Sequence, residues 1–507
     1  MGSGHLARLG KHSSVLLVGN LLSRGVGLLL IGLYTGKLEG TAELNYWESL
    51  LLASTLVSMV SAHGITAALQ WTLKTGGAAG GGELSGEAQE RAVSAAMGWV
   101  LLTSALVCGG SALAAGPFAS AVLATSGYAT PLALLMLSQG LRVATYPAEG
   151  VLKLRFRTTP LVLMSFGEFL IQVVGTVLAL VVFETGLTGM AWAALVAALV
   201  RFGLGLAWLP EMRRPRIDLE LVRPMLRYGL PLMPGAVASM VLSLSDRWFF
   251  NLFDMAGDGG LYSFGDKWAR LVEIVLIAPL VAMWPAVYFN IAKEPDAARQ
   301  FGRVATLWVG LGGLFAFTIT MAGPALTALF DTSEGDLYAG AARAIGVLTA
   351  GYVVLGLVEV ARVGFAITGR TSRTALAMLV AAALNLALNV WLIPALGPMG
   401  AAWSTLLAYA AALALVLWLS REVYPQTWEW GRLAWAAAVF VGAALAVDGL
   451  GPAPGSLGGA ALRVGAVLAV PAFLLGTGFL TAEERRAVWA LLSGGWQRAR
   501  SRLRPGS

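Results

Sequence analysis

Charged side chains inside apolar helices mark where this chain can do chemistry. Between Tyr228 and Glu273, an apolar helix opens with Pro231 and Pro234 and runs about five turns to an adjacent Asp246-Arg247 pair. The next apolar segment carries Asp266, Lys267, Arg270 and Glu273. Charge at membrane depth is costly, so it is expected to face a bundle interior or a water-filled cavity. Several cations in one such cavity suit an anionic cargo. Asp266 and Arg270 are four apart, and Arg270 and Glu273 three apart, which puts all three on one face as a self-neutralising, structural network. Lys267 lies off that face with no local partner, so it is the sharper cargo contact. Arg247 either contacts cargo or snorkels outward from the end of its helix.

Other intramembrane groups extend the set. Arg24 sits mid-span in the first apolar helix, where its guanidinium fork can grip a phosphate or pair with a neighbouring helix. Arg142 and Arg201, in the fourth and sixth spans, either line a vestibule or snorkel. Glu168, with Gln172 one turn on, pairs with an arginine of another helix or titrates in ion coupling; Asp246 is the second ion-coupling candidate. Glu359 and Arg362, three apart, are expected to pair, and Asn385 and Asn389 to hydrogen-bond across helices. The substrate-binding set is therefore Arg24, Arg142, Arg201, Arg247 and Lys267.

Enzymatic signatures are missing from the sequence. Gly36-Lys37 lacks the upstream glycine and the Ser or Thr of a phosphate-cradling loop, and no GxSxG, HExxH or CxxC occurs. His5, His12 and His63 have no evident triad partners. The single cysteine, Cys108, excludes an intrachain disulfide and a multi-thiolate metal site. The reading is a non-enzyme with no catalytic residues, no metal and no cofactor.

The elements that must position these groups are membrane helices. Hydrophobic residues make up 57% of the 507 residues and charged ones only 12%, with a mean hydropathy of +0.73. A soluble domain carries about 25% charged residues. With roughly 20 apolar residues per crossing, about fourteen spans are expected: 13–33, 46–69, 93–115, 130–150, 161–183, 187–209, 228–253, 261–288, 304–329, 342–367, 375–392, 399–420, 433–447 and 457–480. The thirteenth is short. Lys and Arg collect in alternate loops, which places both termini in the cytoplasm. The formal net charge of +7 thus reflects topology and the anionic inner leaflet rather than nucleic-acid binding. The first apolar segment is too long for a signal-peptide core and reads as a retained span.

The expected organisation is an N-lobe over 1–209, a basic cytoplasmic linker over 210–227, a C-lobe over 228–420, two appended helices within 421–480, and an amphipathic tail over 481–507. Thr481 and Glu484 suit a capping box at the head of that tail. The lobes repeat: Gly189 and Trp192 match Gly400 and Trp403 at a constant offset of 211 residues. Two six-helix halves of the same orientation make a parallel repeat with a site between them.

These residues also carry a resemblance. Gly229-Leu230-Pro231-Leu232-Met233-Pro234, Asp246-Arg247, Gly260-Leu261-Tyr262 with Lys267, Leu384-Asn385, Leu388-Asn389, Leu392-Ile393-Pro394 and Gly397-Pro398-Met399-Gly400 resemble the Wzx-like polysaccharide flippases of the multidrug/oligosaccharidyl-lipid/polysaccharide (MOP) exporter superfamily. Gly64-Ile65-Thr66-Ala67-Ala68 fits the turn after helix two, whereas Asn45 stands where the family has glycine. The resemblance implies an all-α MOP/MATE-like fold around a central cavity opening to alternate sides. It also implies a polyprenyl-pyrophosphate-linked O-antigen, capsule or exopolysaccharide repeat unit as cargo, with membrane lipids and a glycan polymerase or export machinery as partners. The alternatives are a lipid II flippase, which fourteen spans also suit, and a cation-coupled multidrug exporter, which would line its lobes with acidic groups. The expected location is the bacterial cytoplasmic membrane.

Overall fold

The computed structural model describes residues 30–486 except 39, 77–83, 124, 126, 155–157, 209–212, 331–337, 339, 369, 371, 454 and 483, with no side chain at 75, 153, 154, 158, 232, 282, 283, 285, 286, 289 and 290. The described residues form helices and no strand. The first half holds α1 (Ile31–Lys37), α2 (Thr41–Ala62), α3 (Ile65–Thr75), α4 (Gly86–Leu113), α5 (Ala115–Leu123), α6 (Ala129–Leu154), α7 (Thr158–Val177) and α8 (Gly186–Trp208). The second half follows as α9 (Leu219–Gly229), α10 (Met233–Leu244), α11 (Asp246–Leu252), α12 (Ala256–Ala269), α13 (Ala278–Ile291), α14 (Ala297–Ala328), α15 (Ala341–Ala361), α16 (Val363–Ile367), α17 (Ser372–Leu396) and α18 (Pro398–Ser420). Two more helices, α19 (Trp430–Leu450) and α20 (Leu457–Gly476), close the sequence of elements.

Ten helices among the described residues are long and apolar enough to cross a membrane, or eleven if α9 and α10, bent by 52°, form one span. The chain is a multi-pass membrane protein. The expected fourteen are not all matched, for physical reasons. The first expected span lies mostly outside the described residues. Arg142, Glu149 and Lys153 make α6 too polar. The seventh expected span breaks at Ser245, and a π turn over Glu273–Ile277 divides the eighth into α12 and α13. The short thirteenth grows to 21 residues in α19, about 31 Å of helix, enough for a hydrocarbon core.

Part of the expected linker is folded. α9 is amphipathic: Val222 and Met225 are fully buried, and the helix packs on α3 and α4. Asp218 caps it, its carboxylate accepting from the amides of Glu220 and Leu221 at 3.1 and 3.3 Å. The repeat pair behaves alike in both halves. Gly189 and Gly400 are buried near the starts of α8 and α18, while Trp192 and Trp403 are 53% and 41% exposed on the outer surface, an apolar environment in a membrane.

The appended helices dock on α14 because it offers glycines. The rings of Phe479 and Phe440 sit where a Cβ on Gly310 or Gly313 would approach within 2.6 and 2.5 Å. Arg432 fastens the chain end: its Nη1 donates to Glu429 at 2.6 Å, its Nη2 to Glu484 at 2.6 Å, and its Nε to the Phe479 carbonyl at 2.8 Å. Thr481 and Glu484 form the reciprocal capping box, at 2.8 and 3.2 Å. The rest of the expected amphipathic tail lies outside the described residues. Arg463 is bonded to Asp448 across the α19–α20 hairpin.

Two outcomes follow. Gly313→Val should overpack the α14–α19 contact, costing about 1–3 kcal/mol and lowering the melting temperature in detergent. Burial alone would raise the Glu484 carboxyl, yet the Arg432 guanidinium and the Thr481 amide hold it below its ordinary 4.5. A depressed carboxylate stabilises above its unfolded value and loses that contribution as pH falls through the folded one. The melting-temperature gap between wild type and Glu484→Gln should therefore be full at neutral pH and close on acidification below about 4.5.

Candidate functional site

The chain break at Ser245 creates the C-lobe site. α10 ends there, so Asp246 and Arg247 begin a new, short helix that is driven into the protein. Arg247 is only 1% exposed; the snorkelling alternative is corrected. A buried guanidinium demands acceptors. Its Nη2 meets Asp266 at 2.5 Å, its Nη1 donates to the Ser243 carbonyl at 3.2 Å, and its cation lies 5.1 Å from the Tyr262 ring. Arg270 reaches the same Asp266 oxygen at 2.7 Å and Glu273 at 3.4 Å, the spacing expected on one helix face. The Tyr352 hydroxyl donates to the other Asp266 oxygen at 2.8 Å. One carboxylate thus joins two arginines and a phenol.

Asp246 is different. It is fully buried and accepts from the Tyr262 hydroxyl, from Asn389 at 2.6 Å and from Thr405 at 3.2 Å, all neutral donors. Asn385 receives the Ser245 hydroxyl at 3.1 Å, so the asparagine pair of α17 bonds across helices. Glu359 and Arg362 pair at 2.5 Å across the last turn of α15.

Lys267 turns away from Arg270 toward the other half. Its ammonium bonds Glu48 of α2 and lies 5.7 Å from the Tyr34 ring. Both partners of this bridge are largely buried. Around it, Asn45 donates to Asn251 at 2.7 Å and to the Arg247 carbonyl at 3.3 Å; Asn251 donates to Ser49 at 2.9 Å. The α2–α12 approach is close because α12 has Gly259 and Gly260 there. A Cβ on Gly260 would come within 1.8 Å of the Thr41 carbonyl, and one on Gly259 within 2.5 Å of the Asn45 side chain. Gly259 opposite makes room for the Asn45 side chain. At the other end of α2, Gly64 packs against Gly229, and Trp71 of α3 stacks on Tyr228 at 4.8 Å and 6°.

The first half carries its own buried network. Glu168 of α7 meets Arg142 of α6 at 2.6 Å and Arg201 of α8 at 2.5 Å. Arg201 also bonds Glu149 and donates to Thr145 at 3.3 Å. The vestibule cations expected at Arg142 and Arg201 are therefore tied into a three-helix knot in this conformation. Lys267 has no partner on its own helix but pairs across to Glu48, so in this conformation each described cation of the predicted set is matched by a carboxylate. Arg24 lies outside the described residues.

Sequence reasoning missed Glu48, Glu149, Tyr262, Tyr352 and Thr405. Glu48 lies two residues inside an apolar span and looked interfacial. Glu149 sits one turn beyond Thr145 on α6 beside Arg142, a charge pattern that signals a buried partner. The phenols gave no signal, because tyrosine is common in apolar helices.

The profile of the polysaccharide biosynthesis protein family matches residues 9–288, just over half of the chain. The chain belongs to that family. No curated protein matches it in sequence. The chain shares its fold with solved transporters. It aligns with a lipid II flippase, MurJ, in an inward closed conformation at a TM-score of 0.74 and 13% identity, over 91% of this chain and 98% of that one. An inward-facing multidrug resistance MATE family transporter of the MOP superfamily gives 0.59 and 14%, covering 84% and 95%. A MOP superfamily transporter from Pyrococcus furiosus gives 0.53 and 13%, covering 85% and 97%. At such identities the likeness concerns the fold, which is the MOP transporter fold.

Removing one member of a buried ionic network strands the others. Asp266→Ala, which removes the carboxylate bonded to Arg247 and leaves Arg270 with Glu273 alone, should destabilise by about 3–5 kcal/mol. Glu168→Ala should do the same to the first-half knot. Thermal melts of the purified variants check both.

Proposed function

We propose that this protein is a flippase that moves a polyprenyl-pyrophosphate-linked oligosaccharide across the cytoplasmic membrane by alternating access, with both termini in the cytoplasm. The family and the transporter fold support the class. The observation that carries the specific reading is the buried Lys267–Glu48 bridge between the two halves, with Arg270 one turn on at the end of α12 and Arg247 on the neighbouring α11. An ammonium held by a carboxylate of the opposite half is released when the halves part. It then faces the space between them, and a pyrophosphate is the anion that replaces Glu48. Arg24, from the first expected span, is proposed as the matching contact from the other half.

Asp246 is the proposed coupling group. A buried carboxylate with only neutral hydrogen-bond donors either holds a proton or takes a cation. Glu168, the other coupling candidate, has both oxygens engaged by arginines and is the weaker choice. A multidrug exporter would need the cations to stay paired while a cationic substrate binds. A lipid II flippase would use the same pyrophosphate contact with a different sugar head.

Proteoliposome translocation tests the reading. With fluorescent polyprenyl-linked glycans, Lys267→Ala should slow transfer at least about tenfold, the loss of one charge-assisted contact of ~1.4 kcal/mol or more. Asp246→Asn should remove dependence on an ion gradient while leaving the melting temperature near wild type. Wild-type rates in Arg24→Ala, Lys267→Ala and Arg247→Ala alike would end the anionic-cargo reading, and export of a cationic dye in place of glycan would favour the exporter.

A further inference from the structure

The second half contains a cavity that the interface charges do not use. It lies among α10, α13, the α15–α16 pair and α17, with a volume of about 410 Å³. It sits at the bundle end where α10 begins and α13 ends, the end that carries the basic loops with Lys293, Arg299, Arg370 and Arg373. Its size falls within the range of small-molecule sites. Small residues such as Gly235, Ala366 and Ala375 make the room, and Trp284, Tyr288, Ser239, Thr374, Glu359 and Arg362 supply the chemistry.

The wall is built rather than accidental. Trp284 is 7% exposed, and perpendicular contacts with Tyr288 (6.0 Å, 78°) and Phe301 (6.1 Å, 83°) fix the plane of its ring. Its indole N–H is buried with no acceptor among the described residues, so the ring offers the cavity its apolar surface rather than its donor. Across the cavity, Glu359 and Arg362 are paired through one oxygen and one nitrogen. The pair leaves Arg362 with further donors and Glu359 with a further acceptor.

We infer that this cavity is a saccharide subsite, receiving a pyranose ring of the cargo; the inference rests on the flippase reading. A sugar presents an apolar ring face and a rim of hydroxyls. The aromatic wall takes the face, and a carboxylate–guanidinium pair takes a vicinal diol, one partner accepting and the other donating. An acyl chain would strand that ion pair in hydrocarbon at a cost. A phosphate would meet the Glu359 carboxylate.

Binding to the full chain in lipid nanodiscs tests this. The probes are farnesyl pyrophosphate, bare or carrying glucose, galactose or N-acetylglucosamine. At least one glycosylated carrier should bind about tenfold tighter than the bare one, the worth of one ring contact and one hydrogen bond. Ala375→Leu, which fills the cavity, should erase that gain without changing bare-carrier affinity or the melting temperature. Glu359→Gln should reduce the gain, and Trp284→Phe should keep more of it than Trp284→Ala. Equal binding of all four probes, or a gain that survives Ala375→Leu, overturns the subsite alone. Displacement of a fluorescent fatty acid from the cavity by Ala375→Leu, with no sugar dependence, makes it a lipid pocket instead. Failure of every carrier to bind would remove the flippase reading as well.

Discussion

The cost of placing charge in an apolar bundle governs this protein. Arg142, Arg201, Arg247, Lys267 and Arg270 each solve that problem by finding a carboxylate, and Asp266 solves it for two arginines at once. Such pairs add little net stability, because desolvation consumes most of the attraction. Their effect is to fix geometry. The Asp266 network locks α11 to α12 and, through Tyr352, to α15. The Glu168 knot does the same for α6, α7 and α8. Each half is thereby braced internally, as the proposed alternation of two rigid bodies would require.

Between those bodies the bonding is of another kind. Within a half, ionic groups are multiply tied. Across the halves, the one ionic bridge given by the described residues joins single groups, Lys267 and Glu48, and its other contacts are neutral amides and hydroxyls such as Asn45, Ser49 and Asn251. Neutral hydrogen bonds exchange readily with water when a cleft opens. Stiffness is placed inside each half and exchangeability between them.

Much of this could be read from the sequence. Helix identity follows from hydropathy, so α14, α15, α17 and α18 fall where the apolar runs do. The Asp266–Arg270–Glu273 and Glu359–Arg362 pairings follow from helical spacing alone. What sequence could not give is the identity of partners far apart in the chain. Lys267 looked solitary because its partner, Glu48, lies 219 residues away, and Arg247 looked interfacial because the break at Ser245 that buries it has no proline or glycine to announce it. The linker helix α9 was hidden for the opposite reason: Pro224 argues against a helix, but capping by Asp218 and the burial of Met225 outweigh it. The cavity beside Trp284 depends on which small residues face one another from four helices, a property of packing.

The double attachment of α2 has a mechanical meaning. The helix is 22 residues long, about 33 Å, and meets the second half near both its ends: through Thr41 and Asn45 at one, and through the adjoining His63-Gly64 turn at the other. Between those ends Glu48 and Ser49 also touch the second half. Under the proposed alternating access such a helix need not leave its partner all at once: one end would stay seated as the pivot while the other lifts.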